Sequence, residues 1–434
     1  MEITAAVKKN TSKTLLKAAR EVGDHLVRTA QWDTQGICCN WLGRKDIMDR
    51  QMAAYSNTNG TMTPEIYSGS SGIAFFLMEL YGITGKKAYK QTALGGWLRS
   101  VKYIQAIGIP ATAISFYAGD LGLLYTGYRF LQLAPELKAV LEPYLAYLVT
   151  KVETGLSVKH GIDIIGGNAG AIAPLFQLAA ENNLPLLAKV AIDCADEILE
   201  RATWKDDLCF WDSPKVLGIE IDKPPLTGYS HGCSGIAIAL MEAYQHTGKT
   251  VYLEHARGAF AFEHTLFNDE ENNWIDTRYP HFKRDGKIQG TFRSAWCHGA
   301  PGIALAHMRA SVIDQDNQAF HLDMTERAIA TTRRLIAEKL EQPEEDATLC
   351  HGFTGLSDIL FMHGQYMNDE RSRKAAIAYT NSYLELYPNV HDLPSGIIAG
   401  GYSPSLMTGI AGVGLHCLRL SSESAIPSVL YMTM

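Results

Sequence analysis

Two Cys-His pairs in the sequence carry the residue types of a metal site. Cys297-His298 stands in WCHGAPG, and Cys350-His351 stands 53 residues later in CHGFTG. Thiolate sulfur and imidazole nitrogen are typical zinc ligands, and three protein ligands leave a position for a reactant whereas four close the site. The pairs could therefore form an open catalytic site or a closed structural one, or the side chains could pack separately in a core.

The residues around these pairs belong to a repeat that runs through the chain. A Gly-x-x-Gly motif followed by an apolar run occurs seven times, at steps of 50, 48, 65, 67, 53 and 57 residues. One such motif usually marks only the start of a helix, but seven at a near-constant step indicate a repeat architecture. The first glycines are Gly69, Gly119, Gly167, Gly232, Gly299, Gly352 and Gly409.

Amphipathic, charged segments alternate with these apolar runs. Examples are residues 13–30, 135–153, 185–202 and 324–340. Their helical periodicity predicts outer, half-solvated helices that alternate with inner, apolar helices. We therefore predict an all-α fold, an α/α toroid in which seven outer helices surround a barrel of seven inner helices, formed by a single domain over residues 1–434.

Two insertions interrupt the regular step, at about residues 203–228 and 267–293. Both are rich in aromatic residues, proline and glycine, with some strand-like alternation. We expect them to form irregular or strand-containing loops over one mouth of the barrel, where substrate contacts are expected.

Aligning the repeats on their first glycines brings distant residues to one height around the ring. The position before the glycine is His231, His298 and His351 in repeats four, five and six, and the position before that is Cys297 and Cys350 in repeats five and six. Because equivalent residues of neighbouring repeats face a common axis, we expect these side chains to lie close together. Two thiolates with one or two imidazoles at one end of a barrel predict a zinc site.

Composition narrows the classes of function. The 434 residues are 47% hydrophobic, which is enough for a large core, and the net charge of −7 leaves no basic excess for binding nucleic acid. We see no signal peptide and no transmembrane segment. We expect the eight cysteines to be reduced, and the protein to be cytoplasmic.

These residues resemble a known family, the lanthionine synthetase C-like proteins, which are zinc-dependent cyclases of lanthipeptide biosynthesis and their relatives. The resemblance runs from about the first Gly-x-x-Gly motif to the C-terminus and rests on the seven repeats, WCHG and CHGFTG. It implies that one Zn²⁺ per chain is bound by Cys297, Cys350 and His351. It also implies catalytic roles for His231 in SHGCSG, Asp163 in GIDIIGGNAG and Arg293 in FRSAWC.

The activity that the resemblance implies is the addition of a peptide cysteine thiol to dehydroalanine or dehydrobutyrine, which forms a (methyl)lanthionine thioether ring. A free thiol, with a pKa of about 8.5, is mostly protonated at neutral pH, and coordination to zinc removes that proton. His231 would then protonate the enolate, Asp163 would orient His231 or hold it protonated, and Arg293 would stabilise the developing oxyanion.

His298 decides whether the predicted zinc site is open. If His298 also bound zinc, the site would be closed and structural. Successive side chains on a helical turn diverge by about 100°, so both members of both pairs rarely reach one ion. We expect His298 to line the pocket beside the zinc, as a second proton donor. Many free-standing bacterial cyclases of the family carry tyrosine at this position. A histidine here resembles the fused bifunctional synthetases and the eukaryotic branch of the family.

Three functions stay open on the sequence alone. The first is a cyclase that acts on a dehydrated precursor peptide, with a separate dehydratase and a transporter complex as partners and a peripheral route to the membrane through that complex. The second is the addition of glutathione or another external thiol to dehydroamino acids. The third is a non-catalytic zinc scaffold that binds thiol peptides. Terpenoid cyclases and glycosidases are weaker candidates, because the sequence shows no Asp-rich motif of the DxDD kind and does not reveal two carboxylates at a glycosidase spacing.

Overall fold

The computed structural model describes residues 5–49, 54–107, 114–155, 161–212, 225–279, 282–284, 287–343, 346–390, 392–398, 400–422 and 426–431. Helices dominate these ranges, and odd-numbered outer helices alternate with even-numbered inner ones. In chain order they are α1 (Ala5–Thr29), α2 (Ser70–Thr84), α3 (Lys87–Ile107), α4 (Asp120–Leu133), α5 (Lys138–Thr154), α6 (Ala169–Asn182), α7 (Pro185–Glu200), α8 (Cys233–Thr247), α9 (Thr250–His264), α10 (Ala300–Ile313), α11 (Gln318–Glu341), α12 (Phe353–Tyr366), α13 (Glu370–Leu386) and α14 (Ile410–Ser421).

The inner helices close into a ring. Each packs against the next inner helix along the chain, and α14 packs against α2. The first outer helix, α1, lies along α14 and also touches α3 and α13, so it completes the outer layer where the chain ends meet. This arrangement confirms the predicted α/α toroid. That residues 1–434 form one domain stays a prediction.

The connections at the two ends of the barrel differ in length. Each inner helix passes to the following outer helix through only two to four residues, whereas each outer helix returns to the next inner helix through 11 to 40 residues. Short turns make antiparallel neighbours, so all seven inner helices run in one direction. Their N-termini lie at one end, here named the loop mouth, and their C-termini lie at the other, here named the turn mouth.

The second glycine of each Gly-x-x-Gly motif allows the preceding loop to fold back onto the helix. A Cβ atom at this glycine would lie only 1.8 to 2.1 Å from the carbonyl oxygen of the residue six positions earlier in all seven motifs. No other residue type permits so close an approach of backbone to backbone. The motif therefore fixes the residues just before each inner helix, which are the residues that the sequence alignment compared.

Backbone hydrogen bonds tie these loops to one another around the loop mouth. The N–H of Tyr67 donates to the carbonyl of Tyr117, and the N–H of Ser230 donates to the carbonyl of Cys297. The N–H of Cys350 donates to Met407, whose own N–H donates to Tyr67. All six residues stand two positions before a first glycine, so the aligned positions do lie at one height.

Short antiparallel hairpins fill the longer connections, and each strand pairs with its neighbour in the chain. The predicted insertion at 203–228 contains two hairpin strands, and the one at 267–293 contains four. Residues 213–224, 280–281 and 285–286 of these insertions lie outside the described residues. The longest hairpin, with Leu42 paired to Thr61, lies between α1 and α2 and was not predicted, because its strands show no alternation of apolar and polar residues. The strands are β1 (Gln31–Trp32), β2 (Cys39–Asn40), β3 (Leu42–Asp49), β4 (Ala54–Thr61), β5 (Thr203–Lys205), β6 (Leu208–Phe210), β7 (Phe267–Asn268), β8 (Asn273–Trp274), β9 (Phe282–Arg284) and β10 (Lys287–Gln289).

Within the described part of the chain, no helix has the length and apolar character needed to cross a lipid bilayer.

Candidate active site

The loops before α10 and α12 bring the two predicted cysteine ligands together. The side chains of Cys297 and Cys350 are hydrogen-bonded to each other, although 53 residues separate them in the chain. The hydroxyl of Tyr67, from the loop before α2, donates to the sulfur of Cys350 over 2.8 Å. Three loops of the loop mouth thus meet at one pair of sulfur atoms.

The two thiols differ in acidity. Burial raises the pKa of Cys350 well above its usual value, so this sulfur keeps its proton. The hydrogen bond with Cys350 lowers the pKa of Cys297 to about 7 against the effect of burial, and the nearby His351, His231 and Arg278 act in the same direction. Near neutral pH, Cys297 therefore has substantial thiolate character, which is the form that binds metals.

The third predicted ligand, His351, is held from behind by a carboxylate. Its Nδ1 is hydrogen-bonded to Asp346, which also accepts hydrogen bonds from the N–H and the hydroxyl of Thr348 at 2.8 and 2.7 Å. These bonds hold the pKa of Asp346 below its usual range, although burial alone would raise it. A carboxylate that orients one ring nitrogen is typical of metal-binding histidines, and Nε2 is then the nitrogen that would meet a metal.

Among the residues that the structure describes, no three His, Cys, Asp or Glu side chains stand in the geometry of a formed metal site. The donor set nevertheless fits a zinc ion in its chemistry. Two sulfurs are in contact, one of them readily deprotonated, and a carboxylate orients the histidine nearby. Metal binding displaces protons from such thiols, so the hydrogen bond between the sulfurs is the interaction that a metal would replace.

A second histidine–carboxylate pair lies at the same mouth of the barrel. The Nδ1 atom of His231, in the loop before α8, lies 2.7 Å from the Oδ2 atom of Asp163, in the loop before α6. The other oxygen of Asp163 accepts a hydrogen bond from the N–H of Gly166 at 2.7 Å, which fixes the carboxylate. The side chain of His231 is 37% exposed, so a substrate can reach it.

His298 lies beside His231 and is buried. The centroids of the two rings are 5.9 Å apart, and the ring of His298 is hydrogen-bonded to the backbone of Thr227. Burial, together with the charge of Arg278, lowers the pKa of His298 to about 3. Its expected role as a second proton donor stays a prediction.

The guanidinium of Arg293 is exposed and turned towards Tyr279. It donates to the Tyr279 hydroxyl over 3.1 Å and lies 5.5 Å from the centre of that ring. The positive charge that acts on both Cys297 and His298 belongs instead to Arg278, which Asp276 holds through two hydrogen bonds of 2.9 and 2.6 Å. The catalytic role that the resemblance implies for Arg293 stays a prediction.

Three contributors to the site were missed in the sequence. Tyr67 occupies the same aligned position as Cys297 and Cys350, so the repeat alignment itself was a usable signal for it. Asp346 ends the acidic run at 344–346, and nothing in the sequence selects it as the partner of His351. Arg278 belongs to an insertion that has no counterpart in the other repeats, so periodicity could not place it.

Comparison with known proteins gives consistent results. The model of the lanthionine synthetase C-like protein family matches residues 60–431. The chain is 26% identical over 442 aligned residues to the lacticin 481/lactococcin biosynthesis protein LcnDR2 of Lactococcus lactis subsp. lactis, covering 95% of this chain but only 41% of that protein. It is 22% identical to the nisin biosynthesis protein NisC of the same organism, over 70% of this chain and 74% of NisC.

A solved structure of nisin cyclase has the same fold. It superposes on this chain with a TM-score of 0.60 at 16% sequence identity and covers 82% of this chain and 88% of its own. At this level of identity, the superposition supports the toroid and says nothing about the reaction.

Proposed function

Because this chain belongs to the lanthionine synthetase C-like family, we propose that it is a cyclase that adds peptide cysteine thiols to dehydroalanine or dehydrobutyrine and so forms thioether rings. The observation that carries the proposal is the convergence at the loop mouth of the Cys297–Cys350 pair, His351 with its carboxylate, and the His231–Asp163 pair. One site thereby contains thiols that could bind a metal and a histidine–carboxylate pair that could transfer a proton.

We further propose one Zn²⁺ per chain as the cofactor, held by Cys297, Cys350 and His351. When bound, the ion would keep a substrate thiol deprotonated and, with three protein ligands, would retain a position for that thiol. Asp346 would fix the ring of His351, and the hydroxyl of Tyr67 would support the sulfur of Cys350.

His231 would complete the addition. The carbon–sulfur bond forms at the β-carbon of the dehydroamino acid, and the resulting enolate needs a proton at its α-carbon. Asp163 engages Nδ1 of His231, so Nε2 is the nitrogen that would give up this proton. Arg278 would place a positive charge near the developing oxyanion.

The substrate in this proposal is a dehydrated precursor peptide, because the similar proteins LcnDR2 and NisC are named for lacticin 481/lactococcin and nisin biosynthesis. A dehydratase activity must supply the dehydroamino acids. This chain corresponds to less than half of the length of LcnDR2. We therefore propose the dehydratase and a transporter complex as partners of this chain and not as activities of it. The proposed location is the cytoplasm, free or at the membrane through such a complex.

Replacement of Cys350 tests the proposal. We expect Cys350→Ala to lose both zinc and ring formation, whereas Cys417→Ala, at a buried cysteine of α14, keeps both. Zinc content is measured by elemental analysis, and rings are counted by mass spectrometry after alkylation of the free thiols. Cyclisation at the unaltered rate by the Cys350→Ala protein would refute the mechanism. Preferential addition of supplied glutathione by the unaltered protein would point to the external-thiol function instead.

A further inference from the structure

A cavity of about 390 Å³ adjoins the sulfur side of the candidate site. Tyr67 and His351 form part of its lining, so it opens directly onto the residues that surround the sulfur pair. Arg44 and Glu65 contribute charged groups to it, and residues 396–398 form its rim. The proposed chemistry uses only the Tyr67 and His351 side of this space.

The rim belongs to a segment that we name the rim loop, residues 392–398 and 400–401. Its backbone is fastened at several points: the carbonyl of Pro394 accepts from the N–H of Ala347 at 3.0 Å, and the N–H of Gly396 donates to Thr408 at 3.1 Å. Gly396 also lies against the ring of His351, where an added Cβ would stand 2.5 Å from Cε1. The rim loop therefore packs directly against His351, the proposed zinc ligand.

The far end of the rim loop is fastened as well. The guanidinium of Arg44 donates to the carbonyl of Gly400 over 3.2 Å, and Gly401 has a φ of +101°, with space for an added Cβ blocked by the Arg44 side chain at 2.6 Å. The hydroxyl of Ser395 donates to the carbonyl of Gly401. The loop is thus held at both ends, and these contacts fix its orientation towards the cavity.

This fastened loop exposes a large apolar side chain at the cavity. Ile398 is 69% exposed, the largest fraction among the exposed large hydrophobic residues of the described chain, while Ile397 beside it is buried. Single exposed apolar residues are common on protein surfaces and mean little alone. Ile398 differs in that it lines a cavity continuous with reactive side chains, where a bound molecule would cover it.

The position of the cavity indicates what would occupy it. A smaller cavity of about 140 Å³ adjoins His231 and Asp163 on the proton-transfer side. The cavity beside His351 has more than twice this volume, so it offers the larger space for the residues next to a cysteine whose thiol reaches the sulfur pair. Arg44 and Glu65 bring opposite charges to the lining, so neither sign of charge is favoured, and the exposed side chain of Ile398 favours an apolar neighbour.

We propose that this cavity is the subsite for the residue next to the reacting cysteine of the substrate peptide, and that Ile398 selects an apolar side chain there. The assignment rests on the proposed function for the identity of the thiol as the reacting group. It goes further because it assigns a binding site to the residue next to the reacting cysteine, and it names Ile398 as the side chain that determines specificity there.

The test measures binding without chemistry. Fluorescent peptides that contain Leu-Cys-Leu or Ser-Cys-Ser, and no dehydroamino acid, are titrated with the zinc-supplemented protein and followed by anisotropy. We expect about tenfold tighter binding of the Leu-Cys-Leu peptide, because burying part of one leucine side chain is sufficient for one factor of ten in Kd. Ile398→Asp should abolish this preference, and Ile398→Ser should reduce it. The control Leu186→Asp, at an apolar residue of α7 that is 56% exposed, should retain it.

Three outcomes would overturn the subsite. The first is equal binding of the two peptides by the unaltered protein, and the second is a preference that survives Ile398→Asp. A Leu-Ser-Leu peptide should bind more weakly than Leu-Cys-Leu, and the third outcome is equal binding of these two, because the cavity would then bind leucine independently of a neighbouring thiol. Because none of the peptides can cyclise, a failure of the proposed reaction leaves these results unchanged, so the two hypotheses fail separately.

Discussion

The two mouths of the barrel use their charged residues in opposite ways. In the C-terminal halves of the inner helices, Glu242 is 2% exposed and is held by two hydrogen bonds from Arg309, at 2.6 and 3.0 Å. At the loop mouth, the His231–Asp163 and His351–Asp346 pairs are open to solvent, with each imidazole 37% exposed. One scaffold therefore carries closed ion pairs towards one end and accessible hydrogen-bonded pairs at the other.

The length of the connections explains the difference. Turns of two to four residues leave no chain to place over the barrel, so side chains of neighbouring inner helices satisfy one another there. The longer loops of the opposite end carry side chains that no helix periodicity constrains. The helix dipoles act in the same sense, because the N-terminal ends at the loop mouth favour carboxylates and thiolates, and the C-terminal ends favour arginine. Stability and reactivity are thereby separated along the barrel axis.

The largest effect is expected from removing the proposed proton donor at the loop mouth. His231→Ala should slow ring formation by about 10²- to 10⁴-fold, the usual contribution of a positioned acid, with little change in stability. Cyclisation rates measured by mass spectrometry give the effect, and His255→Ala, at a partly exposed histidine of α9, is the control. If His231→Ala reacted as fast as the control, the loop mouth would hold no essential acid there.

Breaking the buried Glu242–Arg309 pair should reduce stability and leave turnover unchanged, the reverse of the effect expected for His231. Glu242→Gln leaves the largely buried charge of Arg309 without its carboxylate, so we expect a loss of about 3 kcal/mol in the free energy of unfolding. Turnover by the protein that remains folded should be unchanged. Denaturant unfolding measures the loss, with Glu200→Gln, at an exposed residue that ends α7, for comparison. A stable variant with impaired turnover would contradict the proposed separation.

The smallest effect is expected at the carboxylate behind His351. Asp346→Asn keeps the shape of the side chain but removes its charge, and we expect zinc affinity to fall about 10- to 100-fold. Competition with a chromophoric chelator measures this affinity independently of turnover. The control Asp269→Asn alters an 83% exposed carboxylate and should leave the affinity as it was. Equal affinities for both variants would remove Asp346 from the metal centre.

The repeat explains how much of the site the sequence could predict. At the second glycine of each of the seven motifs, an added Cβ would lie only 1.8 to 2.1 Å from a carbonyl oxygen, so no side chain fits there, and the spacing of glycines specifies the ring and the height of the residues before them. This is why aligning the motifs predicted that Cys297 and Cys350 meet. The same pattern did not show which connections are short, those from inner to outer helices or those from outer to inner helices. Inner and outer helices alternate along the chain in either case.

The sequence by itself determined the toroid, the repeat positions and the residue types gathered at one mouth, since all of these follow from periodicity and from glycine at fixed places. The tertiary structure alone decided which partner each reactive side chain has. Asp346 behind His351, Arg278 rather than Arg293 near the sulfurs, and Ile398 on the cavity rim all come from loops without a repeat. Contacts between such loops depend on how separate connections fold over a shared mouth, and no local rule of spacing encodes them.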